Sequence, residues 1–192
     1  MKEIKRDLRK IIRRQIEKLS DPEIHSRSEQ LVARILNISE FTEARIILSF
    51  MPLAGEPDLK PLNNAVLRMG KLLGLPRIYG KQMIFHKVDT CDSGLEVSSF
   101  GIAEPCVEAE PVNPEIFAEE KTLCIVPGYA FDKTGKRLGK GGGFFDRFLG
   151  VWGKDLTAMG ICFSFQLLES IPVLEYDMPV DFVVTDESVI RC

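Results

Sequence analysis

No apolar run in this 192-residue sequence approaches the length needed to cross a bilayer. The charged opening Met1-Lys2-Glu3-Ile4-Lys5-Arg6 is not followed by an apolar core of the signal-peptide kind. A membrane partner and secretion are therefore not expected, and the expected location is the cytoplasm. A basic excess is missing too. The net charge is −3, which argues against whole-surface attraction to nucleic acid. The five cysteines, Cys91, Cys106, Cys124, Cys162 and Cys192, are scattered, odd in number and free of any C-x-x-C pair. That pattern excludes a disulfide frame or cysteine zinc site and fits reduced thiols. Internal repeats, low-complexity tracts and linkers are absent as well. The expectation is one catalytic domain over residues 1–192, with 1–37 forming a helical pair packed on an α/β body.

What the chain does have is concentrated in Arg137-Leu138-Gly139-Lys140-Gly141-Gly142-Gly143-Phe144-Phe145-Asp146. Glycine permits turns closed to other residues and lets backbone approach a ligand. Successive N–H groups in such a turn can hold an anion. Arg137 and Lys140 carry charge suited to phosphate oxygens. Phe144, Phe145, Phe148 and Leu149 read as the start of a helix, whose N-terminus also favours anions. Asp146 in its first turn could hold a hard cation such as Mg²⁺. The run is neither a Walker A loop nor a dinucleotide fingerprint, because its spacing fits neither. Taken alone, it also reads as a flexible surface turn with solvated charges.

Residues 2–19 carry a helical pattern, with Ile4, Leu8, Ile11, Ile12, Ile16 and Leu19 on one face and a heavily basic opposite face. That basic face reads either as solvated or as a contributor to phosphate binding. Ser20-Asp21-Pro22-Glu23 has the form of a capping box and starts a second helix that Asn37 ends. Arg45–Phe50 and Lys71–Pro76 read as buried strands flanking a helix that Asp58 caps and Gly70 stops, with Leu62, Val66 and Met69 on its inner face, a β-α-β unit. Met83–Val88 reads as a further strand near an edge, with His86 outward or satisfied. Asp89–Glu120 reads as a long ordered surface loop. Thr122–Pro127 is the strongest buried-strand signal, followed by a turn, the glycine run and its helix. Ala158–Phe163 and Phe182–Thr185 are two further strands. Strand, loop and helix N-terminus in that order place ligands at the carboxyl edge of a parallel sheet.

Val126-Pro127-Gly128-Tyr129-Ala130-Phe131-Asp132, then Gly135, then Arg137 through Arg147, is a long spaced pattern. On it the chain resembles the 5-formyltetrahydrofolate cyclo-ligases, also called 5,10-methenyltetrahydrofolate synthetases, nearly end to end. Supporting pieces are Lys5-Arg6-Asp7-Leu8-Arg9, Glu56, Phe100-Gly101-Ile102 with Glu104-Pro105, and Thr185. The resemblance implies a single three-layer α/β domain with a mostly parallel sheet covered by helices, Rossmann-like and of the isomerase and CoA-transferase type. It also implies ATP- and Mg²⁺-dependent cyclisation of 5-formyltetrahydrofolate to 5,10-methenyltetrahydrofolate, with release of ADP and phosphate. The folate could carry a polyglutamate tail, and the enzyme is expected to be a monomer without nucleic-acid partners.

Residue by residue, the resemblance implies an ATP site of Lys5, Arg6, Asp7, Leu8 and Arg9 with Arg137, Leu138, Gly139, Lys140, Gly141, Gly142, Gly143, Phe144 and Phe145. Lys140 and Arg137 are the implied catalytic pair. Met51, Glu56, Phe100, Lys140, Gly141, Gly142, Gly143 and Phe144 would face the folate, with Glu56 suited to the pterin's N–H donors and Phe100 to stacking on its rings. Asp146 and Asp177 would hold Mg²⁺. Family members usually show Tyr-Tyr-Asp where this chain has Phe144-Phe145-Asp146, so neither ring here donates a hydrogen bond. Two rivals remain at this stage. One is another ATP-dependent phosphoryl transferase acting on a small acid or amide. The other is a noncatalytic nucleotide- or RNA-binding module built on the basic helix.

Overall fold

Apolar side chains alternating along the same strands set the architecture. The structure, a computed structural model, describes residues 1–99 and 101–192. Its helices are α1 Lys2–Ile16, α2 Asp21–Leu36, α3 Ser39–Glu43, α4 Lys60–Arg68, α5 Ile116–Glu119 and α6 Phe144–Trp152. Its strands are β1 Ile46–Leu48, β2 Leu72–Tyr79, β3 Gln82–Lys87, β4 Leu95–Val97, β5 Ala103–Pro105 and β6 Thr122–Pro127. The remaining strands are β7 Ala130–Asp132, β8 Arg137–Leu138, β9 Thr157–Ile161, β10 Leu167–Leu168, β11 Phe182–Val184 and β12 Val189–Arg191.

A seven-stranded sheet runs in the order β12-β11-β9-β6-β1-β2-β3. The five inner strands are parallel, and β12 and β3 close the edges antiparallel. Ile47, Leu123 and Ile125 face a core with Leu31 and Ile35 of α2 and Leu62 of α4. Their neighbours Ile46, Leu48, Cys124 and Val126 face the other side, against Phe117 of α5 and Phe148 of α6. Sheet faces covered on both sides explain the uninterrupted apolar runs of β1 and β6. The result is the three-layer α/β fold with a mostly parallel sheet that the sequence predicts.

Several local expectations need correction. The first helix ends at Ile16 and leaves Ile4 and Ile11 55% and 53% exposed, while Lys5 is only 5% exposed. It packs on the small sheet β10-β7-β8, not on the main one, so its buried stripe narrows to Leu8, Ile12 and Ile16 over Ala130, Leu138 and Ile171. The helix after β1 begins at Lys60, with Asp58 Oδ1 accepting the Lys60 N–H at 2.9 Å. The stretch Asp89–Glu120 is not all loop: it contains the antiparallel pair β4–β5 and α5. Glu104 on β5 accepts the Ile78 N–H of β2, so this hairpin docks through a contact between distant segments. Arg137 and Leu138 form β8, a strand paired with β7, before the glycine run begins. His86 is buried and satisfied, with Nδ1 2.6 Å from the Ala109 carbonyl and Nε2 3.2 Å from the Tyr79 hydroxyl.

Candidate active site

The parallel strands end together, and their following segments converge on one edge. Beyond β1 come Phe50, Met51, Leu53 and Glu56; beyond β6 comes Gly128. The β7–β8 hairpin turns the chain back so that Gly139–Gly143 reaches the same edge, and α6 starts there. Gly141 has φ 107° and Gly143 φ 66°, both in the left-handed region that disfavours side chains. Gly143 is the N-cap of α6, so the glycine run brings the N-terminus of that helix to the edge of the sheet.

Three ion pairs organise the charges. Lys140 Nζ lies 2.7 Å from Glu56 Oε1, and the other Glu56 oxygen accepts the Leu53 N–H at 2.8 Å. Arg137, 6% exposed, donates to Asp146 Oδ1 at 2.6 Å and to the Pro127 carbonyl at 3.3 Å. Lys5 pairs with Asp177 Oδ2, which also accepts the Leu174 N–H at 2.5 Å. Asp146 Oδ1 accepts the Met178 N–H at 3.3 Å, so the two aspartates are joined by one residue of backbone. From α1, Arg9 Nε donates to the Gly139 carbonyl at 2.7 Å and latches the helix to the glycine run.

The sequence-predicted residues divide accordingly. Lys5 and Arg9, one helical turn apart, face the site. Arg6 and Asp7 are rotated off that line; their ion pairs stay within α1, with Arg6 on Glu3 at 3.0 Å and on Asp7 at 3.5 Å. Leu8 and Leu138 serve packing beneath α1. Met51 lines the site and also packs on the main core. Phe100 lies outside the described residues. Among the described residues no group of three or more His, Cys, Asp and Glu side chains is placed to hold a metal. Cys124, below the site, is no nucleophile: burial pushes its thiol far above the ordinary range.

A cavity of about 330 Å³ opens between the glycine run, the β1–α4 loop and the β2–β3 hairpin. Phe144, Phe145, Ile78 and Met83 make its apolar walls, with Lys140, Glu56 and Glu104 at polar points on its lining. A second cavity of about 340 Å³ lies on the α1 side, bordered by Arg13, Tyr129 and Gln166. Glu56 and Lys140 line both, so this one ion pair forms part of each wall. Sequence reasoning gave Ile78, Met83 and Glu104 no place in the site: it ended β2 at Pro76, read Met83 only as part of a strand and took Glu104 only as a piece of the family pattern. The alternation of Pro76 and Ile78 beyond that point was the available signal, since β2 runs on to Tyr79.

The model of the 5-formyltetrahydrofolate cyclo-ligase family matches residues 1–186. The 5-formyltetrahydrofolate cyclo-ligase of Escherichia coli strain K12 is 31% identical over 183 residues, spanning 93% of this chain and 98% of its own length. The enzyme of the same description from Mus musculus is 27% identical over 192 residues, spanning 96% and 94%. The NMR structure of Aquifex aeolicus 5,10-methenyltetrahydrofolate synthetase is 37% identical, with a TM-score of 0.83 over 98% of this chain and 92% of that one.

Proposed function

The chain belongs to the 5-formyltetrahydrofolate cyclo-ligase family, and on that premise we propose how its residues convert 5-formyltetrahydrofolate to 5,10-methenyltetrahydrofolate. The observation that carries the reading is the Glu56–Lys140 pair on the boundary of two cavities at the carboxyl edge of the sheet. One cavity is walled by flat rings and aliphatic side chains and suits the pterin. The glycine run, the α6 N-terminus and the cations of α1 suit the polyphosphate of ATP.

In this reading the formyl oxygen on nitrogen 5 attacks the γ-phosphorus, and the bond from that phosphorus to the ADP oxygen breaks. The formyl carbon becomes electrophilic. Nitrogen 10 adds to it, loses its proton, and the carbon–oxygen bond breaks as phosphate leaves. The protein's task is alignment and charge neutralisation. Lys140 Nζ leaves Glu56 for an oxygen of the moving phosphoryl group. Backbone N–H groups of Gly141–Gly143 hold the neighbouring phosphate oxygens. Lys5 and Arg9 add charge from α1, and Arg137 holds Asp146 in place from behind. Met51, Glu56 and Phe144 bound the folate, while Phe145 shields the reacting atoms from water.

Asp146 and Asp177 would hold Mg²⁺. Asp146 Oδ2 and Asp177 Oδ1 accept no hydrogen bond from the described residues, so each carboxylate keeps an oxygen to offer. Two carboxylates completed by phosphate oxygens and water make a set that Mg²⁺ accepts, and the ion would neutralise phosphate charge there. The scattered, unpaired thiols fit a reducing compartment, and the proposed setting is the cytoplasm, as a monomer.

The test is to mix the protein with 5-formyltetrahydrofolate, ATP and Mg²⁺ and follow the near-ultraviolet band of the methenyl product. The band is expected only when all three are present. Its appearance without ATP, or its absence with the complete mixture, would overturn the mechanism.

A further inference from the structure

We propose that Glu104 recognises the donor edge of the pterin, its carboxylate taking the 2-amino group and the adjacent ring N–H together. The proposal rests on the folate reading of the apolar cavity given above. Glu104 stands on β5, is 4% exposed and lines that cavity. Its Oε2 accepts the Ile78 N–H at 3.3 Å, the long end of the normal range. Its Oε1 receives no hydrogen bond among the described residues, and no cation there comes within 4.0 Å of either oxygen.

The other charged side chains on the same lining each have an ion-pair partner, although Arg137 Nε is buried without an acceptor among the described residues. Lys140 meets Glu56, Arg137 meets Asp146, and the second Glu56 oxygen is taken by the Leu53 N–H. Among the described residues Glu104 is the one lining carboxylate with no cation within 4.0 Å; Arg77, bonded to Glu96 and to the Pro105 carbonyl, acts on it only from farther off. A carboxylate oxygen left without a protein donor on a cavity wall suits a ligand that brings N–H groups to it. Ile78 and Met83 beside it on the cavity wall offer no competing donor side chain. A reduced pterin presents two parallel N–H donors from an amidine-like edge, the same fork that guanidinium offers to carboxylate. The flat remainder of the ring then lies between Ile78, Met83 and Phe144. This assigns to Glu104 the contact that the sequence alone suggested for Glu56, and leaves Glu56 to hold Lys140.

The experiment compares wild type with Glu104→Gln on 5-formyltetrahydrofolate and on its 2-desamino analogue. The glutamine carbonyl can still accept the Ile78 N–H, so melting temperature is expected to hold. Glu104→Gln should raise KM for the folate about 10- to 100-fold, the scale of a lost charge-assisted hydrogen bond, and leave KM for ATP alone. Wild type should discriminate against the 2-desamino analogue about tenfold or more, and Glu104→Gln should lose most of that discrimination. An unchanged folate KM with discrimination retained in Glu104→Gln would overturn the assignment and return the contact to Glu56. Wild type that turns over both folates equally would overturn it even if the variant failed to fold. Failure of wild type to form methenyl product at all would instead sink the folate reading of the cavity, a distinct result.

Discussion

Lys140 Nζ and Glu56 Oε1 lie 2.7 Å apart across the boundary between two cavities, brought together from segments that follow β8 and β1. The lysine side chain is 37% exposed and the glutamate 15%. Such a pair contributes little to stability, about 1 kcal/mol or less. In the proposed mechanism it keeps a cation on the boundary of the two cavities, with a carboxylate that aims it.

That weak hold makes the pair separable from folding. Lys140→Ala is expected to cut turnover by about 10²- to 10³-fold, the scale of a lost transition-state charge contact, with melting nearly unchanged. Steady-state kinetics beside a thermal melt checks this. Near-normal turnover in the folded variant would remove Lys140 from the phosphoryl path.

Lys5 and Asp177 behave differently, because Lys5 is buried and Asp177 largely so, with side chains 6% and 12% exposed. Lys5→Met strands a buried carboxylate and is expected to cost about 3 kcal/mol in urea unfolding. Adding Asp177→Leu should recover much of that loss, while KM for ATP stays raised in both variants. A single variant as stable as wild type would show that α1 is not held by this pair.

Far from the site, Arg191 on β12 holds the Glu40 carboxyl at about 2, below its ordinary value of 4.5. A carboxyl depressed in the folded state stabilises above the unfolded value and loses that effect as pH falls through the folded one. The melting gap between wild type and Glu40→Gln should be full at neutral pH and shrink as pH drops from about 4.5 towards 2. A gap independent of pH would mean that the ion pair is idle in solution.

The thiols offer a direct probe of packing. Burial pushes Cys124 and Cys162 far above their ordinary value, while Cys192 is exposed and Cys106 half-buried. Under native conditions an aromatic disulfide reagent should label Cys192 and Cys106, with Cys192 slowed because burial and the nearby Asp132 and Asp181 push its thiol up. Cys91, Cys124 and Cys162 should react only on unfolding. Rapid native labelling of Cys124, mapped by mass, would contradict the buried sheet.

Much of this was readable in advance where neighbours along the chain carry the signal. The runs Arg45–Phe50 and Thr122–Pro127 declare buried parallel strands because both sheet faces are covered. Ser20 and Glu23 declare a helix start, and the Ser20 N–H reaches Glu23 Oε2 at 2.9 Å. The glycine run declares a turn before a helix start, and Gly141 and Gly143 take the positive φ that such a turn needs. By contrast, the periodicity of residues 2–19 suggested burial of Ile4 and Ile11, whereas Lys5 is the side chain that goes inside. Its partner Asp177 is 172 positions away, and no local pattern names it. The β4–β5 hairpin was hidden for the same reason, since its docking depends on Ile78 meeting Glu104.

Local composition thus sufficed for the first two helices and the inner strands of the main sheet, because backbone geometry and apolar alternation act over a few residues. Which cation meets which carboxylate was settled only when the chain closed on itself. Ion pairing acts through space over a few ångströms, and Lys140–Glu56, Arg137–Asp146 and Lys5–Asp177 each join different segments. The same closure left Glu104, among the described residues, with the Ile78 N–H as its donor and no cation within 4.0 Å.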